Sequence, residues 1–442
     1  MLSAPCWALT LEDSVEVALA TNPEVGVVAA DREAIDQELR QARALYLPSL
    51  DLRGAIGPEY TNSPATRARP GDDNSETLIR MESQVTLTQM LFDGFSTRSE
   101  VDRQLARIDS AAYRVREAGE FIALDAIEAH LNVLRNEALV ELAEQNVIEH
   151  QRILGQVGQL EREGGGTIAD VRQTEARVAA ANSALATAVG NLRDARAIYR
   201  SVVGIPPEDL ALPDPPIAAV PGGAEAAAAD AFVGNPTVRI AEADIEVARA
   251  ELQGARSGYY PRLDLEMGAG ANRDIDGIEG SDVDAQALVV LRYNLFRGGG
   301  DIAREREAFA RLREAREVLR RAKRAAEEDA RVAYNAFLTA QDRADALEAQ
   351  AVATRSTRDA YAQQFDIGQR SLLDLLDAEN ELFIARSNLI TAQFTELFAV
   401  YRVLAATGDL LMVMDVDAAK ESINIYRTPR ETIHEEGSAS SG

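Results

Sequence analysis

Ser371-Leu372-Leu373-Asp374-Leu375-Leu376-Asp377 sets two carboxylates three residues apart behind a hydroxyl. Residues three apart share a helical face, so Asp374 and Asp377 can act as one negative site. Two chemistries fit: attraction of cations, or capping and solvation of a helix that starts after Ser371, where acids are favoured anyway. Just upstream stand Phe365, Gly368 and Arg370, and 204 positions before Asp374 lies Asp170, behind Gly164-Gly165-Gly166-Thr167. The triple glycine reads as a turn, because the lysine that a phosphate loop needs is missing. His130, His150 and His434 are scattered, two of them in a long helical stretch, and read as surface residues. No Ser–His–Asp constellation or metal-ligand spacing can be assembled, so nothing points to an enzyme, a cofactor or a metal.

The elements that carry these residues come in two copies. Asn22-Pro23-Glu24-Val25 returns 213 positions later as Asn235-Pro236-Thr237-Val238, and Pro48-Ser49-Leu50-Asp51-Leu52 as Pro261-Arg262-Leu263-Asp264-Leu265. Leu91-Phe92-Asp93-Gly94 returns as Leu295-Phe296-Arg297-Gly298, now 204 positions on, and that shift also relates Gly164 to Gly368 and Gly204 to Gly408. The nine-residue change of register falls between about Tyr60 and Val85, and belongs in a solvent loop. Each copy reads helix–strand–strand–helix. In the first (residues 9–203), strands are expected at about 50–60 and 77–92 and long helices at about 97–161 and 167–203. In the second (residues 224–408), strands are expected at about 263–271 and 283–296 and helices at about 302–364 and 371–405. The strands alternate: Ile79, Met81, Val85, Leu87 and Leu91 oppose Arg80, Glu82, Gln84, Thr86 and Thr88. The long helices show apolar residues at three- and four-residue steps without an internal proline, and those at 97–161 and 302–364 would each be near 95 Å at about 1.5 Å per residue. Residues 204–223 form a Pro-rich linker, and 409–442 a C-terminal segment expected to be mobile at its polar end.

Bulk properties narrow the partners. A formal charge of −26 over 442 residues argues against nucleic acid. No unbroken apolar run of 18 residues exists, so no transmembrane helix is expected, but a membrane β-strand needs only about 9–11 alternating residues. Cys6 stands alone, which excludes an intramolecular disulfide. The stretch 1–8 reads as the remnant of a secretory signal cut after Ala8, or as the site of a lipidated Cys6. Four strands cannot close a barrel, and an open edge in lipid leaves unpaired backbone groups costing several kcal/mol each. If the strands span a bilayer, several chains must share a barrel: two would give eight strands with a filled interior, three would give twelve and a lumen.

The chain resembles the TolC family of outer-membrane efflux proteins from Leu11 to about Gly408. The resemblance rests on the Asn-Pro pair opening each half, on Tyr-x-Pro-x-Leu entering the first strand of each (Tyr46 and Tyr259), and on Leu-Phe-Asp-Gly. Its most specific stretch is Phe365-Asp366-Ile367-Gly368-Gln369-Arg370-Ser371-Leu372-Leu373-Asp374-Leu375-Leu376-Asp377-Ala378, which is similar to the family's helix-turn-helix at the periplasmic tip. The resemblance implies a mainly α fold with a membrane β-barrel: a homotrimer making a 12-stranded barrel in the outer membrane of a Gram-negative bacterium. A long α-helical barrel would continue it into the periplasm, with residues 204–223 and the C-terminal segment around its middle. It also implies a passive exit duct, recruited by a periplasmic adaptor and an inner-membrane pump of ABC or RND type, for type I protein secretion or drug efflux.

Carried onto this sequence, the resemblance puts Asp374 and Asp377 in an acidic ring at the channel's narrowest point. Arg370, Phe365 and Asp170 become a latch that holds the tip closed, against the bland reading of a surface ion pair. Gly164, Gly165, Thr167, Gly368, Ser371 and Leu372 become adaptor contacts. Tyr60, Phe92, Tyr293 and Phe296 lie near strand ends, where a membrane-interface belt would sit. Arg67, Arg69, Asp72 and Asp73 belong to an external loop. The competing reading is a periplasmic coiled-coil adaptor or structural hairpin protein without a pore.

Overall fold

The structure is a computed structural model that describes residues 8–68 and 75–423. Cys6, Arg69, Asp72, Asp73, His434 and the polar tail lie outside those residues. In the first copy the chain forms α1 (Leu11–Thr21), α2 (Pro23–Ala44), β1 (Ser49–Thr61), the single turn α3 (Pro64–Arg67), β2 (Glu76–Phe92), α4 (Ser96–Arg162) and α5 (Ile168–Val203). The second copy forms α6 (Ala224–Gly234), α7 (Pro236–Ala255), β3 (Arg262–Arg273), β4 (Ser281–Arg292), α8 (Gly300–Asp366) and α9 (Leu372–Thr407), followed by the short α10 (Leu410–Val413).

The repeated Asn-Pro pair has a local job in both copies. Proline lacks an N–H and fits the first position of a helix, so α2 and α7 start on Pro23 and Pro236. The Asn22 side-chain Oδ1 accepts the Glu24 N–H at 2.9 Å while its side-chain Nδ2 donates to the Val202 carbonyl at 3.3 Å. Asn235 does the same with the Thr237 N–H at 3.0 Å and the Ala406 carbonyl at 3.1 Å. Each break between short and long helix is thereby tied to the end of the helix that closes the same copy.

Spatially the chain divides into two compact units that cut across the copies. One comprises residues 8–32, 111–240 and 319–423, and the other residues 33–68, 75–110 and 241–318. The reason is strand order: the sheet runs β1-β2-β3-β4, all antiparallel, so the hairpins of both copies join through β2 and β3. In the helical unit, Leu11, Val15 and Ala18 of α1 pack with Ile122, Ala126 and Ile127 of α4, Tyr199 and Val203 of α5, Tyr401 and Leu404 of α9, and Leu410 and Leu411 of α10.

Two differences from the sequence reading have physical causes. Strand β4 stops at Arg292, although the alternation continues to Phe296, because Asn294 accepts the Phe296 N–H at 3.1 Å and the chain turns locally instead of extending the ladder. Helix α9 reaches a mean hydropathy of 1.3 over an 18-residue window, enough by length and composition to cross a membrane, where no unbroken apolar run exists. Its apolar residues Leu375, Leu376, Leu382, Val400, Val403 and Leu404 are buried within the helical unit, so packing accounts for them.

Candidate functional site: the hairpin tips and the sheet faces

Both long hairpins turn on a glycine that only a residue without Cβ adopts easily: Gly164 has φ 83° and Gly368 has φ 73°. After each turn a hydroxyl caps the returning helix. Thr167 accepts the Asp170 N–H at 3.2 Å, and the Asp170 carboxylate accepts the Thr167 N–H at 3.0 Å and hydroxyl at 2.7 Å. Ser371 accepts the Asp374 N–H at 3.2 Å and donates to its carboxylate at 2.9 Å. Asp170 and Asp374 are therefore both engaged in helix caps.

Within the chain Arg370 and Asp170, two members of the expected latch, each meet other groups. Arg370 stacks on Tyr361 at 3.9 Å, donates to Gln364 at 3.2 Å and stands 3.8 Å from the Asp374 carboxylate. A different arginine joins the two hairpins: Arg177 of α5 pairs with Asp377 of α9 at 2.8 Å. Asp377 is thus held by a cation, and it and Asp374 have unlike surroundings despite their spacing. No sequence signal marked Arg177, because its partner lies 200 residues away.

Phe365 packs beside Val171 and Ala362 against the buried cluster Ile153, Val157, Leu372, Leu375 and Leu376. Leu372 belongs to that cluster at 8% exposure, which corrects its expected place among surface contacts: the first turn of α9 points it inward. The exposed apolar side chains around the turns are instead Ile168, Ile367 and Leu373. Gly164, Gly165, Thr167, Gly368 and Ser371 are exposed.

In the other unit, strand register sorts the sheet into two chemically opposite faces. Cross-strand rows Leu50–Leu87–Met267–Ala287 and Leu52–Val85–Ala269–Ala285 run over all four strands, with Leu265–Val289 on one side and, on the other, Gly54–Ser83–Ala271–Val283 and then Ile56–Met81, whose row ends in Arg273 and Ser281. Leu50, Leu52, Ile56, Met267 and Val289 are exposed, Leu52 at 76%. The opposite face carries the rows Asp51–Thr86–Gly268–Gln286, Arg53–Gln84–Gly270–Asp284 and Ala55–Glu82–Asn272–Asp282. Charges on that face are knitted together: Arg80 pairs with Glu59 at 2.8 Å and with Glu82, while Arg262 and Arg292 grip the buried Asp264 at 2.9 and 2.7 Å. A largely apolar exposed face of this kind calls for lipid or a partner. The outer edges of β1 and β4 have no partner strand among the described residues.

Aromatic residues mark the strand ends. Tyr60 is exposed at the loop end of β1, and Tyr293 and Phe296 are exposed past the helix end of β4. Phe92 is half-buried, edge-on to Phe95 at 5.4 Å, and Phe95 is edge-on to Tyr260 at 5.8 Å.

Two histidines contradict the surface reading. His130 is fully buried, and His150 is 4% exposed with Nδ1 near the Asn146 carbonyl at 2.9 Å. His130 sits 2.9 Å from the Ser14 hydroxyl through Nδ1 and 2.9 Å from the Ala211 carbonyl through Nε2, and Tyr199 meets the same hydroxyl at 2.9 Å. Burial pushes the His130 pKa down, against the Ala211 bond and the charge of Glu12. With a carbonyl where a triad would have its carboxylate, and no exposed surface, this network braces α1, α4, α5 and the linker.

A four-stranded sheet with one largely apolar exposed face and one charged face, in a chain with two long helical hairpins and an internal duplication, fits the class of membrane transport proteins. The chain belongs to the outer membrane efflux protein family, whose model matches residues 15–204 and 228–409, one segment per copy. It is a protein of the outer membrane and not an enzyme. Outer membrane protein TolC of Escherichia coli (strain K12) is 26% identical over 405 residues, covering 88% of this chain and 80% of that protein. The alkaline protease secretion protein AprF of Pseudomonas aeruginosa is 26% identical over 424 residues, covering 93% and 86%. Among solved structures, a membrane protein from Pseudomonas aeruginosa superimposes with a TM-score of 0.78 at 20% identity, covering 90% of this chain and 93% of that one.

Proposed function

We propose that three copies of this chain close into a 12-stranded barrel continued by a helical barrel, forming a passive exit duct across the outer membrane and periplasm. The observation that carries the reading is the two-faced sheet. Its apolar rows suit lipid, its charged rows suit a water-filled lumen, and its free β1 and β4 edges must be paired before the sheet can sit in hydrocarbon. Twelve strands leave a lumen where eight would be filled by side chains. A periplasmic adaptor or pore-free hairpin protein accounts less well for the chain, since neither needs an apolar sheet face.

Cargo would be delivered by an inner-membrane transporter through a periplasmic adaptor, and the relatives' names span both efflux and protease secretion. The hairpin tips are the proposed gate and adaptor contact. Ile168, Ile367 and Leu373 offer apolar surface there, and the Arg177–Asp377 pair is the contact that would part when the hairpins separate. Asp374 and Asp377, repeated in three chains, would form the acidic constriction.

Detergent extraction, mass measurement of the intact complex and single-channel recording test the duct. A trimer that conducts is the expected result; a water-soluble monomer without conductance would sink it. Neutralising Asp374 and Asp377 together is expected to reduce cation selectivity, and unchanged selectivity would remove them from the constriction.

A further inference from the structure

Where α9 ends, Gly408 turns the chain in the left-handed conformation and α10 folds back onto α4. The bend is crowded. The Asp409 N–H donates to the Leu404 carbonyl at 3.0 Å, and Arg116 of α4 donates to the Gly408 carbonyl at 3.0 Å. Gly119 leaves room for the Leu411 side chain, which a Cβ there would meet at 3.3 Å, and Leu410 and Leu411 are buried in the core of the helical unit.

Glu120, one turn after Arg116, is shut into this contact at 4% exposure, and neither carboxylate oxygen has a well-formed hydrogen bond. A carboxylate buried in that way is costly unless it takes up a proton. We propose that Glu120 is a pH-sensitive fastener of the α9–α10 bend: protonated, it stays packed between α4 and α10, and its ionisation loosens α10 from α4. Since α9 is the arm of the hairpin that bears Gly368–Ser371, the fastener sits at the root of that hairpin. The other copy has no such device, because Arg324 stands 204 positions after Glu120.

The charged groups acting on Glu120 support this assignment. Burial dominates and pushes its pKa up to about 7; Arg116 and the N–H groups of Leu411 and Leu410 oppose that, and Asp409 adds to it. A carboxyl that titrates higher in the closed bend than in the open one steadies the bend at low pH. That help is complete below about 4.5 and is lost as pH rises through 7.

The test is amide hydrogen exchange over residues 408–416 of the full-length protein in detergent from pH 5 to pH 8, corrected for intrinsic exchange. Wild type should open on the order of fiftyfold more at pH 8 than at pH 5. Glu120→Gln, which mimics the protonated form in the same volume, should hold closed-state protection across the range. Asp409→Asn removes a like charge, so the rise should be smaller and should level off at lower pH. Equal protection of wild type at pH 5 and 8 overturns the proposal, as does a Glu120→Gln protein that keeps the wild-type slope.

Discussion

Reversing the charge at Arg177 should weaken the joint between the two hairpins of each chain. Arg177 reaches the Asp377 carboxylate at 2.8 Å, with side chains 35% and 53% exposed. A pair so open to water contributes about 0.5 kcal/mol. Three such pairs acting together in a trimer would bias the closed tip by about 1.5 kcal/mol, roughly tenfold in the opening equilibrium. Arg177→Glu replaces attraction by repulsion of similar size and should therefore change the open fraction by roughly a hundredfold. Single-channel recording in planar bilayers measures this directly, and high salt should shrink the difference between variant and wild type. The charge-swapped protein, Arg177→Asp with Asp377→Arg, should recover much of the closed state. If Arg177→Glu conducts like wild type, or if the swap rescues nothing, the pair is only a solvated contact and the tip is held elsewhere.

Leu52→Arg places a charge on the apolar sheet face and should cost about 2–4 kcal/mol of membrane insertion. Gln84→Arg, in the adjacent row on the polar face, should cost far less; equal losses of assembled protein would refute the assignment of faces. Asp170→Ala removes the carboxylate that accepts the Thr167 N–H and should lower stability by about 0.3–1 kcal/mol in thermal denaturation, whereas Asp170→Asn should retain part of it. A latch role would instead raise resting conductance for both variants. His130 is held neutral by burial, so its folded pKa lies below the unfolded one, and its support is present above about 6.5 and lost as pH falls further. Wild-type Tm should accordingly decline on acidification below that range, and His130→Gln should flatten the decline.

Much of the fold was legible because it is periodic. Alternation of two sorted Val85 and Leu87 from Gln84 and Thr86 before any pairing was known, and the three-to-four step without an internal proline marked α4 and α8. Positive-φ glycines at Gly164 and Gly368 were legible as turns for the same local reason. Less of the candidate site could be read. The Asp374 and Asp377 spacing suggested one shared environment, yet one acid caps Ser371 and the other meets Arg177. Leu372 looked like a tip residue because it adjoins Ser371, but helix geometry turns it into the cluster with Ile153 and Val157. Histidine 130 looked like one polar residue on a long helix until α1 and α5 closed over it with Ser14 and Tyr199.

Local pattern and duplication thus settled the helices, the strands and the alternation along each strand, since each depends on residues within a few positions of one another. Which charges meet was decided only by folding. Arg177 with Asp377, Glu120 beneath the bend at Gly408, and His130 with Ser14 join residues roughly a hundred to three hundred positions apart, and their energies depend on burial and on ångström-scale distances that no spacing in the chain encodes.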